Sequence, residues 1–202
     1  MNQQTASGTK YSGFVYKSCA ETFSFGYTWF TNSFNVVCDA KDVSALCTLK
    51  MENANGYETL GEKSLNLWRF VHSSNDVEEI IVKIDDDTMI QKHLFDEFID
   101  EFAKRDAIIA GMINTWGGEF YWPLGRLYMF KRSALPPSDS VLWANATTFN
   151  KFEDAQIGYL INTTDIELTY HLDEERFWHA DFEDDRVKIV FKHLSATCGV
   201  EP

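Results

Sequence analysis

Three consecutive carboxylates, Asp85-Asp86-Asp87, follow directly on the apolar run Ile80-Ile81-Val82-Lys83-Ile84. In extended backbone successive side chains alternate faces, so Asp85 and Asp87 point one way and Asp86 the other. Two carboxylates about 5 Å apart repel by roughly 3 kcal/mol at an effective dielectric near 20. A fold keeps such a pair when a divalent cation cancels the charge. Oxygen-only ligands suit Mn2+ or Mg2+, with positions left for substrate phosphates. The competing use is a solvated acidic turn that caps the next helix. A second acidic pair, Glu153-Asp154, precedes Ala155-Gln156-Ile157-Gly158 at what reads as a helix start. There it either balances the helix dipole or supplies a general base, which must be held near the hydroxyl it deprotonates.

The elements that would position these residues alternate between strand and helix, which predicts an α/β fold with a mostly parallel or mixed central sheet. Gly13 to Lys17 reads as a first strand, followed by the turn Ser18-Cys19-Ala20, and Tyr27, Trp29, Phe30 and Phe34 suggest a short aromatic helix. Asn35 to Asp39 reads as a second strand ending in a carboxylate. Gly61 to Val71 has helical spacing through Leu65, Leu67, Trp68 and Val71. Ile80 to Ile84, β-branched and nearly all apolar, is the pattern of a buried central strand. Leu94, Phe95, Phe98, Ile99 and Phe102 form one stripe of an amphipathic helix. Ile108 to Ile113, Leu127 to Phe130, Ile166 to Tyr170 and Val187 to Phe191 are further strands, with Trp116-Gly117-Gly118 as a loop. The Asp run then falls at the C-terminal end of a strand, where open α/β sheets bind ligands.

At 202 residues with 45% hydrophobic residues the chain fits one folded domain over 1–202, residues 1–10 reading as a flexible polar lead-in. The formal net charge of −13 argues against a nucleic-acid backbone or an anionic membrane as partner, though a cation can still bridge to a nucleotide phosphate. No stretch has the roughly 18 apolar residues of a membrane span. Cys19, Cys38, Cys47 and Cys198 lack metal-site spacing and read as ordinary thiols, and the default compartment is cytoplasmic. The sequons at Asn145 and Asn162 matter only on a secretory route.

Residues 81–90, Ile-Val-Lys-Ile-Asp-Asp-Asp-Thr-Met-Ile, resemble the strand and triple-Asp motif of the β-1,3-galactosyltransferase and fringe enzymes. Upstream, Glu62-Lys63-Ser64-Leu65 through Trp68 is similar to that family's Leu-Lys-Thr helix ending in Trp. Downstream, residues 123–133 resemble its Gly-Gly-Tyr-Val-Leu-Ser stretch, with one glycine, Gly125, in place of the pair. Glu153-Asp154 followed by Gly158 is similar to its Glu-Asp-Val-x-x-Gly motif. The order holds over residues 58–193. The resemblance implies a GT-A fold and a UDP-sugar donor bound through Mn2+, with a hydroxyl of a glycan or glycoprotein as acceptor. It implies Asp87 as metal ligand, Asp85 and Asp86 reaching the metal, ribose or sugar, and Asp154 as base with Glu153 second. A late histidine completes such sites, which suits His193, with His179 as rival. Asp39 stands where these folds contact uracil or ribose. Animal members of that family are usually Golgi-anchored, so the resemblance implies an excised catalytic domain or a soluble enzyme from another setting, such as a bacterium or a large DNA virus.

Lys63 could touch a diphosphate, although a lysine on an amphipathic helix is usually solvated. Trp116-Gly117-Gly118-Glu119 could line the sugar and acceptor pocket, since aromatic faces stack on sugars and glycines let backbone approach, or form a tight turn with one exposed Trp. Trp29, Trp68, Phe95, Phe98 and Phe102 are expected in the core. The competing functions are a retaining transferase, a metal-dependent nucleotidyltransferase and a Ca2+-holding module. Ser18-Cys19-Ala20-Glu21 lacks the Gly-rich basic loop of the second, and no EF-hand spacing supports the third.

Overall fold

Strands that are apolar on both faces must be covered on both. That requirement governs β2 (Lys10–Tyr16), β3 (Asn35–Asp39) and β5 (Ile80–Asp85). The computed structural model describes residues 2–16, 33–41, 45, 47–52, 59–85, 88–90, 92–117, 119–149, 152–162, 165–172 and 177–179. These residues form an α/β fold: an eight-stranded mixed sheet flanked by four helices. Its order is β4 (Leu49–Met51), β3, β2, β5, β8 (Phe120–Lys131), β7 (Ile109–Trp116) and β9 (Thr169–His171), with β1 (Asn2–Gln4) also paired to β2. Neighbours run parallel except at β1 and at β8, which is antiparallel to both β5 and β7. A second, two-stranded sheet pairs β6 (Thr88–Ile90) with β10 (Phe177–His179).

Alternation sorts the apolar side chains into two cores. Val82 and Ile84 of β5 face one side, where Phe95, Phe98, Ile99 and Phe102 of helix α2 (Lys92–Ala103) cover them. Ile81 faces the other, with Leu65, Leu67 and Trp68 of α1 (Leu60–Ser73), Trp143 of α3 (Leu142–Phe149) and Ile157 of α4 (Glu153–Ile161). The expected core residues Trp68, Phe95, Phe98 and Phe102 are buried; Trp29, with Tyr27, Phe30 and the turn at 18–20, lies outside the described residues, as does the strand expected at 187–191.

Several local expectations need correction. Residues 166–170 do not form one strand. The Asp165 side chain accepts a hydrogen bond from the Glu167 N–H at 2.9 Å and winds Ile166–Leu168 into a 3-10 turn before β9. Trp116 ends β7 instead of lying in a loop, because Trp116 pairs with Phe120 across a hairpin turned at Gly117. Cys38 and Cys47 are joined in a disulfide rather than left as thiols. Strand β3 buries Cys38 against the segment that leads into β4, so the two sulfurs meet. Disulfides persist in oxidising compartments, so this bond removes the thiol argument for a cytoplasmic default. From Asn2 onward the polar lead-in is tied down by β1 and by the Thr5 hydroxyl, which donates to Asp100 at 2.8 Å. Among the described residues no helix is long and apolar enough to cross a membrane.

Candidate functional site

Strands β2, β3 and β4 progress to one side while β5 lies on the other side of β2, which makes the C-terminal ends of β2 and β5 a topological switch point. Tyr16 and Asp85 stand opposite one another there. Side chains two apart share a face, so Lys83 and Asp85 both project toward α1 and α4. Lys83 is fully buried, a position a charged group tolerates only when its donors are met. Its ammonium donates to Asp85 Oδ1 at 2.6 Å, to Glu153 Oε1 at 2.6 Å and to the Gly125 carbonyl at 2.5 Å. The other carboxylate oxygen of Glu153, Oε2, accepts from the Tyr128 hydroxyl at 2.7 Å. One buried cation thus ties together the end of β5, the middle of β8 and the first turn of α4.

A second ion pair flanks the first. Lys63, on α1, is 3% exposed and lies 3.0 Å from Asp39 Oδ1, at the end of β3. It is therefore not the solvated helix lysine that amphipathic spacing suggests. Tyr16 separates the two lysines, its ring 5.5 Å from Lys63 Nζ and 4.7 Å from Lys83 Nζ, while its hydroxyl donates to Ser64 at 2.8 Å. These ring faces add cation–π attraction to each ammonium.

The electrostatics follow from burial. Desolvation alone would push Lys83 down, but the Asp85 and Glu153 carboxylates overcome it and hold the ammonium above the ordinary lysine range. Burial, then the charge of Glu153, raises the phenols of Tyr16 and Tyr128. Asp154 is raised above the usual carboxylate range, first by burial and then by Glu153, against the pull of the Ala155 N–H and Lys83. Asp154 is half-buried, and its Oδ1 accepts the Ala155 N–H at 2.8 Å. The two acidic neighbours at the α4 start are thus unlike. Glu153 is 4% exposed and locked to Lys83 and Tyr128, whereas Asp154 has the raised pKa that suits proton abstraction.

Asp39, Lys63, Asp85, Gly125, Glu153 and Asp154 therefore gather on one side of the sheet. Gly125 has a physical reason to lack a side chain: a Cβ there would stand 2.8 Å from Glu153 Oε1. Trp116 and Gly117 lie apart from the lysine network, at the tip of the β7–β8 hairpin, with Trp116 71% exposed and Gly117 at φ +64°. Asp86, Asp87, Gly118 and His193 lie outside the described residues. His179 stands opposite Thr88 in the β6–β10 pair. Among the described residues no three His, Cys, Asp or Glu side chains cluster to hold a metal. Asp85 has the donor chemistry for a hard cation and stays 30% exposed, but Lys83 occupies its Oδ1. Sequence reasoning passed over Lys83, Tyr16 and Tyr128. A lone lysine inside an otherwise apolar central strand was the available signal, since a charge there needs buried partners.

No family model matches this chain, and no curated protein does. Among solved structures it is similar to a protein assigned as a glucose-1-phosphate thymidylyltransferase from Bacillus anthracis in complex with a sucrose. That pair has a TM-score of 0.48 and 8% identity, covering 91% of this chain and 94% of the other. A second is mouse xyloside xylosyltransferase 1 in its apo form, with a TM-score of 0.45 and 10% identity, covering 81% and 85%. The motif resemblance to the β-1,3-galactosyltransferase and fringe enzymes thus has no family match behind it.

Proposed function

We propose that the chain is a GT-A transferase that moves a sugar, with inversion, from a UDP-sugar donor to a hydroxyl of a glycan or glycoprotein acceptor. The observation that carries this reading is the pair of buried lysine–carboxylate assemblies at the switch point, with Asp154 beside them. Asp39 and Lys63 flank the place for a nucleoside diphosphate, Asp39 by accepting from ribose or base hydroxyls and N–H groups. Lys83 fixes Asp85 at the strand end. Asp87 and Asp85, with His193, would hold Mn2+ or Mg2+, which would supply positive charge against a departing diphosphate, and Asp86 would reach the ribose or sugar. Asp154 takes the proton from the acceptor hydroxyl as that oxygen attacks the anomeric carbon. Glu153, bound to Lys83 and Tyr128, orients the helix turn that carries Asp154 and is not the base.

The test is thermal stability against UDP-, GDP- and CMP-sugars, each with and without Mn2+. Stabilisation that needs both metal and a UDP compound, and that is lost in Asp87→Ala, is the expected result. If no nucleotide raises the melting temperature with or without metal, the reading fails. The anomeric configuration of the product separates inversion from retention.

A further inference from the structure

One surface beside this site is not used by the chemistry above. Trp116 and Phe120 are directly opposed across the β7–β8 hairpin, and Trp122 opposes Asn114, so Trp116, Phe120 and Trp122 share a face. The Phe120 and Trp122 rings stack at 5.4 Å and 26°. Phe149 of α3 meets the Phe120 ring at 5.3 Å and stacks on Tyr159 of α4 at 4.6 Å. None of the five is buried, and Trp116 stands out at 71% exposed. Phe120 and Trp122 stack on one another and are partly covered by α3 and α4, whereas Trp116 leaves most of its surface in water.

The row continues into the catalytic helix. Asp154 and Gly158 are four apart on α4 and share a face. A Cβ on Gly158 would stand 2.8 Å from Trp122 Cβ, so the hairpin rests directly against the turn below Asp154. We infer that Trp116, the exposed end of an aromatic shelf that Phe120 and Trp122 support from behind, seats a neutral sugar ring of the acceptor glycan. The C–H face of a pyranose is weakly positive and packs on the negative face of an aromatic ring. Charge selects the same ligand class, because a chain of net charge −13 repels sulfated or sialylated glycans. The strip is one ring wide on a hairpin, which fits a linear glycan better than a helix that needs a groove. This inference rests on the transferase reading for the glycan's role as acceptor but not for the shelf itself.

The experiment uses the full chain on an array of defined neutral, sialylated and sulfated oligosaccharides, alongside the UDP-sugar thermal shift. Wild type should retain neutral glycans, and Trp116→Ala should weaken that binding about tenfold or more with its donor-dependent stabilisation unchanged. Trp116→Tyr should restore part of the binding. The shelf is overturned if the wild type retains no neutral glycan, if anionic glycans bind better, or if Trp116→Ala binds like the wild type. Neutral-glycan binding lost in Trp116→Ala without any donor stabilisation would uphold the shelf and sink the transferase reading. Because Trp116 is exposed, the variant should fold, and an unchanged melting temperature checks that it has.

Discussion

Lys83 carries its charge where no water reaches it, so Asp85, Glu153 and the Gly125 carbonyl must replace its hydration. Removing one partner of a buried pair strands the other, at about 3–5 kcal/mol. Lys83→Met should therefore lose stability on that scale in urea unfolding, and adding Glu153→Gln should recover part of it, since an amide needs no counter-charge. A single variant as stable as the wild type would show that the network contributes nothing. Asp154 makes a second prediction. Its raised pKa, set by burial and by the charge of Glu153, means the carboxylate reaches its basic form only above the usual carboxylate range. Turnover should then fall as pH drops through that raised value, with the limb missing in Asp154→Asn. That variant should keep donor binding and lose several orders of magnitude in turnover, as removal of a general base implies. Near wild-type turnover would remove Asp154 from the chemistry.

At the scale of elements, α4 and β8 are the pair that matters. Helix α4 starts with Phe152 as N-cap and ends at Asn162 in a left-handed conformation, so its two ends are set by local backbone. Its approach to β8 depends on Gly158, where an added Cβ would meet Trp122 Cβ at 2.8 Å and the Tyr121 carbonyl at 2.9 Å. A strand carbonyl cannot step aside as a long side chain would. Gly158→Ala should cost about 1–3 kcal/mol by overpacking and should lower turnover as well, because the displaced helix carries Asp154. The urea midpoint together with the initial rate checks both. An unchanged midpoint would mean that the helix is not seated as tightly as the contact distances require.

For the whole molecule, the α/β alternation, the place of Asp85 at a strand end and that of Glu153-Asp154 at a helix start were legible in sequence. Period-two alternation and apolar runs report strands directly, as at Asn35–Asp39 and Ile80–Asp85. The lysine network was not, because it joins residues 42 and 70 positions apart and only the sheet order brings them together. The disulfide escaped for the same kind of reason: Cys38 and Cys47 have no diagnostic spacing, and β3 and its following segment set their meeting. Closing a loop of separation 9 stabilises by about 2–3 kcal/mol in the chain-entropy account. Reductant should lower the melting temperature of the wild type, and a Cys38→Ala, Cys47→Ala variant should start lower and not respond. Strand β8 has one more consequence. Its Tyr128 end belongs to the buried anchor and its Phe120 end to the exposed hairpin. Inheritance can therefore rewrite the tip, lengthening it or exchanging its rings, while the anchored end keeps its composition. If the hairpin seats the acceptor as inferred above, it is the segment to exchange when a new recipient is wanted, because the anchored end of β8 need not change with it.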